Sequence, residues 1–138
     1  MMRSPNCLLG VVLGSGCLLI GVVGLCLTSS LGFVVPNGPK LCGLFEINTL
    51  SNVAHLVIAS ALLIAALSGV RAARRVNVTV GGVYLVVAIA GLANGGANGA
   101  LDFLAVNNAD NFLHLTTAVL LLIVAIGADW VPRRPTTA

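Results

Sequence analysis

A nine-residue pattern occurs twice in this chain. Asn48, Asn52, His55 and Leu56 stand in the order N-x3-N-x2-H-L, and Asn107, Asn111, His114 and Leu115 repeat it 59 positions later. His55 and His114 are the only histidines in the protein. The correspondence runs on beyond the motif, pairing Ala59 with Ala118, Leu62 with Leu121, Leu63 with Leu122, Ile64 with Ile123 and Ala66 with Ala125. Each copy opens a long apolar run. A unit duplicated within 138 residues constrains architecture more than any single side chain does.

What surrounds the duplicated unit is almost uncharged. Only 8% of residues are charged, 58% are hydrophobic, and mean hydropathy is +1.06. Soluble domains carry about 25% charged residues, so these charges could not cover a water-facing surface. The solvent for most of the chain is therefore lipid. Basic patches with interleaved aromatics are lacking, which argues against nucleic acid as a partner.

A spanning helix needs about 20 mostly apolar residues. Residues 7–35 are free of charge and supply one, ended by Pro36-Asn37-Gly38-Pro39. Residues 53–70 supply a second, stopped by Arg71, Arg74 and Arg75. Residues 76–93 supply a third, short and valine-rich, followed by the Gly/Asn-rich break 94–99. Residues 112–128 supply the fourth. Arg3 followed by a short apolar stretch before Cys17 faintly resembles a lipoprotein signal, but the apolar run continues far beyond that cysteine, and an uncleaved helix is the better reading.

Arginine placement sets the expected orientation. Arg3, Arg71, Arg74, Arg75, Arg133 and Arg134 fall on one side of the bilayer, and Lys40 alone on the other. The positive-inside rule then puts both termini in the cytoplasm of a bacterial plasma membrane, with Trp130 at the inner interface and both Asn/His motifs outside. The expected fold is an all-α membrane protein of one domain, 1–138. Two parallel helix-hairpin repeats, about 8–70 and 76–130, are related by a pseudo-twofold axis along the membrane normal, with a cytoplasmic tail at 131–138.

The motif residues admit two readings. In the structural one, Asn48 and Asn107 bond loop backbone, Ser51-Asn52 or Asp110-Asn111 cap the helix starts, and the histidines bond across to the other repeat or to loop carbonyls. Asn52 and His55, like Asn111 and His114, are three apart and share a helix face. In the sharper reading His55 and His114 meet near the axis and hold haem or a divalent metal, since imidazole is a common ligand for both. A closed zinc site wants four ligands, and few others are near. Transport is a weaker class, because the spans carry almost no ionisable group away from their ends. Tyr84 in the third span reads as packing. Catalysis is weaker still, with no nucleophile–base pair legible.

Gly10 and Gly14 have a close-packing spacing, which nominates the first span as a tight contact surface, internal or toward a partner. Cys26 and Cys42 are candidates for an external disulfide.

The phrase Leu44-Phe45-Glu46-Ile47-Asn48 with Asn52 and His55-Leu56, and then Val106-Asn107 through Asp110-Asn111-Phe112-Leu113-His114-Leu115, resembles domain-of-unknown-function family 4383. These are small four-helix membrane proteins of actinobacteria and relatives. The resemblance covers about residues 8–130, and its specific part is the doubled motif. It implies a plasma-membrane protein with external Asn/His motifs, and no activity. Ser51 stands where a histidine or another polar residue would fit the family's first motif, which lowers the metal reading. The resulting expectation is a membrane protein without enzyme activity or cofactor, in contact with lipid. It acts as an accessory or scaffold subunit through other membrane proteins or self-association. Metal or haem binding at His55 and His114 is the alternative, and a small transporter component comes third.

Overall fold

Ser4 starts the first helix. Its hydroxyl accepts from the Cys7 backbone N–H at 3.4 Å, and Pro5 occupies the first helical position, where no amide is needed. The computed structural model, which describes residues 4–93 and 102–129, carries helix α1 from there over Pro5–Thr28. A long connection leads through a two-stranded hairpin, β1 (Lys40–Leu41) and β2 (Phe45–Glu46), to α2 (Thr49–Ser68). Helix α3 (Val70–Ala93) follows, then a 3-10 turn at Asp102–Leu104 and α4 (Asn108–Gly127). All four α-helices are long and apolar enough to cross a bilayer. Their outer faces fit that solvent: Leu19, Ile64, Leu67, Val86, Ile123 and Ile126 are 64–71% exposed.

The element boundaries depart from the sequence reading in four places, one being α2, which runs Thr49–Ser68 rather than 53–70. The first apolar run reaches residue 35, but α1 ends at Thr28 and the remainder is loop. Arg71, Arg74 and Arg75 are not in a loop. They occupy the first two turns of α3, because a single residue, Gly69, turns the chain out of α2. Its φ of +118° is open to glycine and strained for other residues. The fourth helix begins at Asn108 rather than Phe112, the motif's asparagine being its cap. The small β-hairpin was not foreseen. Its turn puts Cys42 and Gly43 at φ +52° and +73°, and Leu44 N–H closes on Leu41 O at 3.1 Å. The break at 94–99 and Trp130 lie outside the described residues.

Helices pair as two tight hairpins, α1 with α2 and α3 with α4. Glycine explains the closeness. A seam of Cys7, Gly10, Gly14, Cys17, Gly21 and Gly24 is the buried face of α1, spaced by alternating threes and fours. A β-carbon at Gly14 would press on Leu62 and Leu63, and one at Gly24 on the Asn52 amide. On α3, Gly81 and Gly91 meet Leu121 with Leu122, and Asn111, in the same way. Backbones that approach this closely gain dispersion contacts, the main attraction between helices in lipid. Gly10 and Gly14 are thus spent against α2, which leaves that stripe closed to an outside partner.

The two hairpins are fastened at both ends. At the end holding residues 4 and 129, Ser4 Oγ and Asn6 Nδ2 donate to Asp129 Oδ2 at 2.6 and 2.8 Å, and Asn77 Nδ2 donates to Asn6 Oδ1 at 3.1 Å. Within the second hairpin, Arg74 Nε donates to the Ala125 carbonyl at 2.6 Å. Partial burial alone would raise the Asp129 carboxyl. The bonds from Ser4 and Asn6, with Arg74 nearby, outweigh it and hold the group below the usual carboxylate range. The opposite end carries the loops and both Asn/His motifs.

Candidate functional site

Asn48 and Asn107 are N-caps in matching capping boxes. Asn48 Oδ1 accepts the Ser51 N–H at 2.8 Å, and Ser51 Oγ returns to the Asn48 N–H at 3.0 Å. Asn107 and Asp110 make the same exchange at 3.0 Å in each direction. Each cap leaves its amide NH2 free, and each sends it across to the other hairpin. Asn48 Nδ2 donates to Phe103 O at 2.9 Å, and Asn107 Nδ2 donates to Leu44 O at 2.7 Å. Leu44 and Phe103 each stand four residues before the asparagine of their own hairpin, so the exchange is reciprocal. Asp110 adds a further tie, accepting the Glu46 N–H at 3.1 Å. Loop bonding by these asparagines follows the structural reading of the motif, but the capping expected of Ser51-Asn52 and Asp110-Asn111 belongs to Asn48 and Asn107, with Ser51 and Asp110 only completing the boxes from the third helical position; the crossing between hairpins is new.

Asn52 and Asn111 are fully buried and face glycines of their own hairpins, Gly24 and Gly91. Asn52 Nδ2 donates to Thr28 Oγ1 at 3.2 Å. The Asn111 side-chain amide has no partner among the described residues and is sealed from solvent.

One turn deeper, the histidines do come together. Their ring centroids are 6.2 Å apart with planes tilted by 34°. His55 Nδ1–H donates to the Ser51 carbonyl at 2.7 Å, which leaves Nε2 as the free nitrogen. His114 is 8% exposed and its buried Nδ1 has no hydrogen-bond partner among the described residues. Tyr84 stacks on His114, with centroids 4.8 Å apart and planes 14° off parallel, and Tyr84 Oη lies 3.5 Å from Cys17 Sγ. The sequence reading makes Tyr84 a packing residue and gives Cys17 no role at this site; a lone tyrosine in a valine-rich span is the one signal that could have drawn them in.

Two cavities flank the pair. One, of about 160 Å³, is lined by His55, His114, Tyr84, Ser51 and Glu46, with apolar residues of α2, α3 and the 104–106 segment. The other, of about 110 Å³, is lined by His55, His114, Tyr84 and Cys17 with α1 and α4 residues. Both are below the several hundred Å³ usual for organic cofactors, so the geometry does not favour haem. Among the described residues no three His, Cys, Asp or Glu side chains converge as a ligand set, so a closed zinc site lacks its donors too. Cys26 and Cys42 are free, exposed thiols.

Fold and site together define a small multi-pass membrane protein, two helical hairpins closed over a buried polar junction. Within that class the chain belongs to the family described as domain of unknown function (DUF4383), whose model matches residues 8–127. No curated protein and no solved structure matches it.

Proposed function

We propose that the protein is a non-catalytic accessory subunit of a bacterial plasma membrane, binding another membrane or envelope protein through its loop end. The observation that carries this reading is the set of large apolar side chains on segments outside the spans. Phe33, Val34, Leu44 and Phe103 are 57%, 46%, 59% and 46% exposed at the loop end. Lipid-facing positions on a helix need no partner. Apolar side chains gathered on connecting segments at one end mark a contact surface.

The orientation belongs to the same proposal. Arg71, Arg74 and Arg75 cluster at the end where Asn6 meets Asp129, and Arg3, Arg133 and Arg134 lie near that end in sequence. Lys40 is on the far hairpin. By the positive-inside rule the arginine end is cytoplasmic, both termini with it, and the loop end is external. The duplicated architecture has parallel support in the reciprocal Asn48 and Asn107 bonds and the matched glycine contacts.

Photo-crosslinking in living cells tests the reading. A photoreactive residue placed at Leu44 or at Phe103 is expected to yield a discrete protein adduct, and one placed at lipid-facing Ile64 is expected to yield none. Adducts to lipid alone at both loop positions would overturn it.

A further inference from the structure

We propose that His55 and His114 form a two-coordinate site for a soft monovalent metal ion, copper(I) or its analogue silver(I), inside the membrane between the two hairpins. The spacing is the first support. A metal–imidazole bond is about 2 Å and a ring nitrogen lies about 1 Å from its ring centre, so two imidazoles on opposite sides of one ion have centres about 6 Å apart. The two rings here are 6.2 Å apart before any ion is added.

The donor atoms are the second support. The Ser51 carbonyl takes the Nδ1 proton of His55, fixing the tautomer and leaving an unprotonated Nε2 with no protein partner among the described residues. A backbone carbonyl bonded to the far nitrogen is the usual outer support of a metal-bound histidine. His114, nine-tenths buried, has an unpartnered Nδ1 and no protein bond to either ring nitrogen among the described residues. A polar nitrogen left unmatched in such a place costs free energy unless a ligand uses the ring. The equivalent carbonyl bond is not made by His114, whose ring stacks on Tyr84 instead.

The charge and softness of the ion follow from what surrounds it. Two neutral imidazoles offer no charge, and desolvation cost rises with the square of ionic charge, so a monovalent ion is far cheaper to bury than a divalent one. Two donors suffice for copper(I), which accepts linear coordination; zinc asks for four. Glu46 lines the larger cavity with both histidines and supplies a carboxylate on the loop side, and Cys17 lines the smaller one and supplies a soft thiol.

The test uses the full-length protein in mild detergent, without oxygen, titrated with copper(I) buffered by a competing chelator. One equivalent is expected to bind, and X-ray absorption of the loaded wild type should show two nitrogen neighbours. H55Q and H114Q should each weaken binding by more than about 100-fold, since loss of a ligand exceeds the 10–100-fold effect of an outer-shell partner. Y84F keeps both imidazoles and should retain binding, which separates the site from general damage to the fold. Wild type that takes up no copper(I) at one equivalent, or that holds it equally well as H55Q and H114Q, overturns the proposal. So does tighter binding of zinc(II) than of copper(I).

Discussion

At the scale of single residues, the glycines are the most exacting positions. Gly24 and Gly91 sit against the Asn52 and Asn111 amides, which are themselves walled in. Replacing either glycine by alanine forces a buried amide aside, and overpacking of that kind costs about 1–3 kcal/mol. Gly16 is also on α1 but has nothing within reach of an added methyl. Thermal unfolding in detergent should therefore show a clear loss for G24A and G91A and little change for G16A. Equal behaviour of the three would mean that the hairpins are not meshed as described. None of this selectivity is visible in composition, because Gly16 and Gly14 look alike until the register of α1 on α2 is known. That the motif caps a helix was legible beforehand, since a cap is a local device four residues long, but the sequence reading puts the caps at Ser51-Asn52 and Asp110-Asn111 rather than at Asn48 and Asn107. Asn6 and Asp129 were not legible: they meet across 123 positions, and nothing local announces it.

At the scale of elements, the junction between hairpins rests on exchanged bonds. Each capping asparagine both starts its own helix and holds a carbonyl of the other hairpin. Replacing an N-cap asparagine by alanine removes about 0.5–2 kcal/mol of capping alone. Because N48A and N107A each loosen one side of the same junction, their effects should be non-additive, with a coupling of about 0.5 kcal/mol or more in a double-mutant cycle of unfolding free energies. Strict additivity would reduce the two asparagines to independent caps. The duplicated motif told in advance that both helices start alike. It was silent on the crossing, because the partners are backbone carbonyls of Leu44 and Phe103, which leave no mark in the side-chain sequence. The β-hairpin at Lys40–Glu46 was missed for a related reason, its two-residue strands being too short to show alternation.

At the scale of the whole molecule, the distribution of polar groups has a direction. One end has three arginines on the first turns of α3 and the Ser4, Asn6, Asn77 and Asp129 network; the other has the loops, the exchanged asparagines and the histidine pair beneath them. Between them the outer faces are apolar. The proposed contact surface and histidine site both require a bilayer across the middle with the arginine end inside. Cysteine accessibility in intact cells measures this directly. With the other native cysteines replaced by alanine, Cys42 at the turn of the β-hairpin should react with a membrane-impermeant maleimide added outside. R75C, in a chain lacking all native cysteines, should react only after the cells are opened. Labelling of R75C from outside with Cys42 protected would invert the molecule and contradict the placement of both the contact surface and the histidine pair.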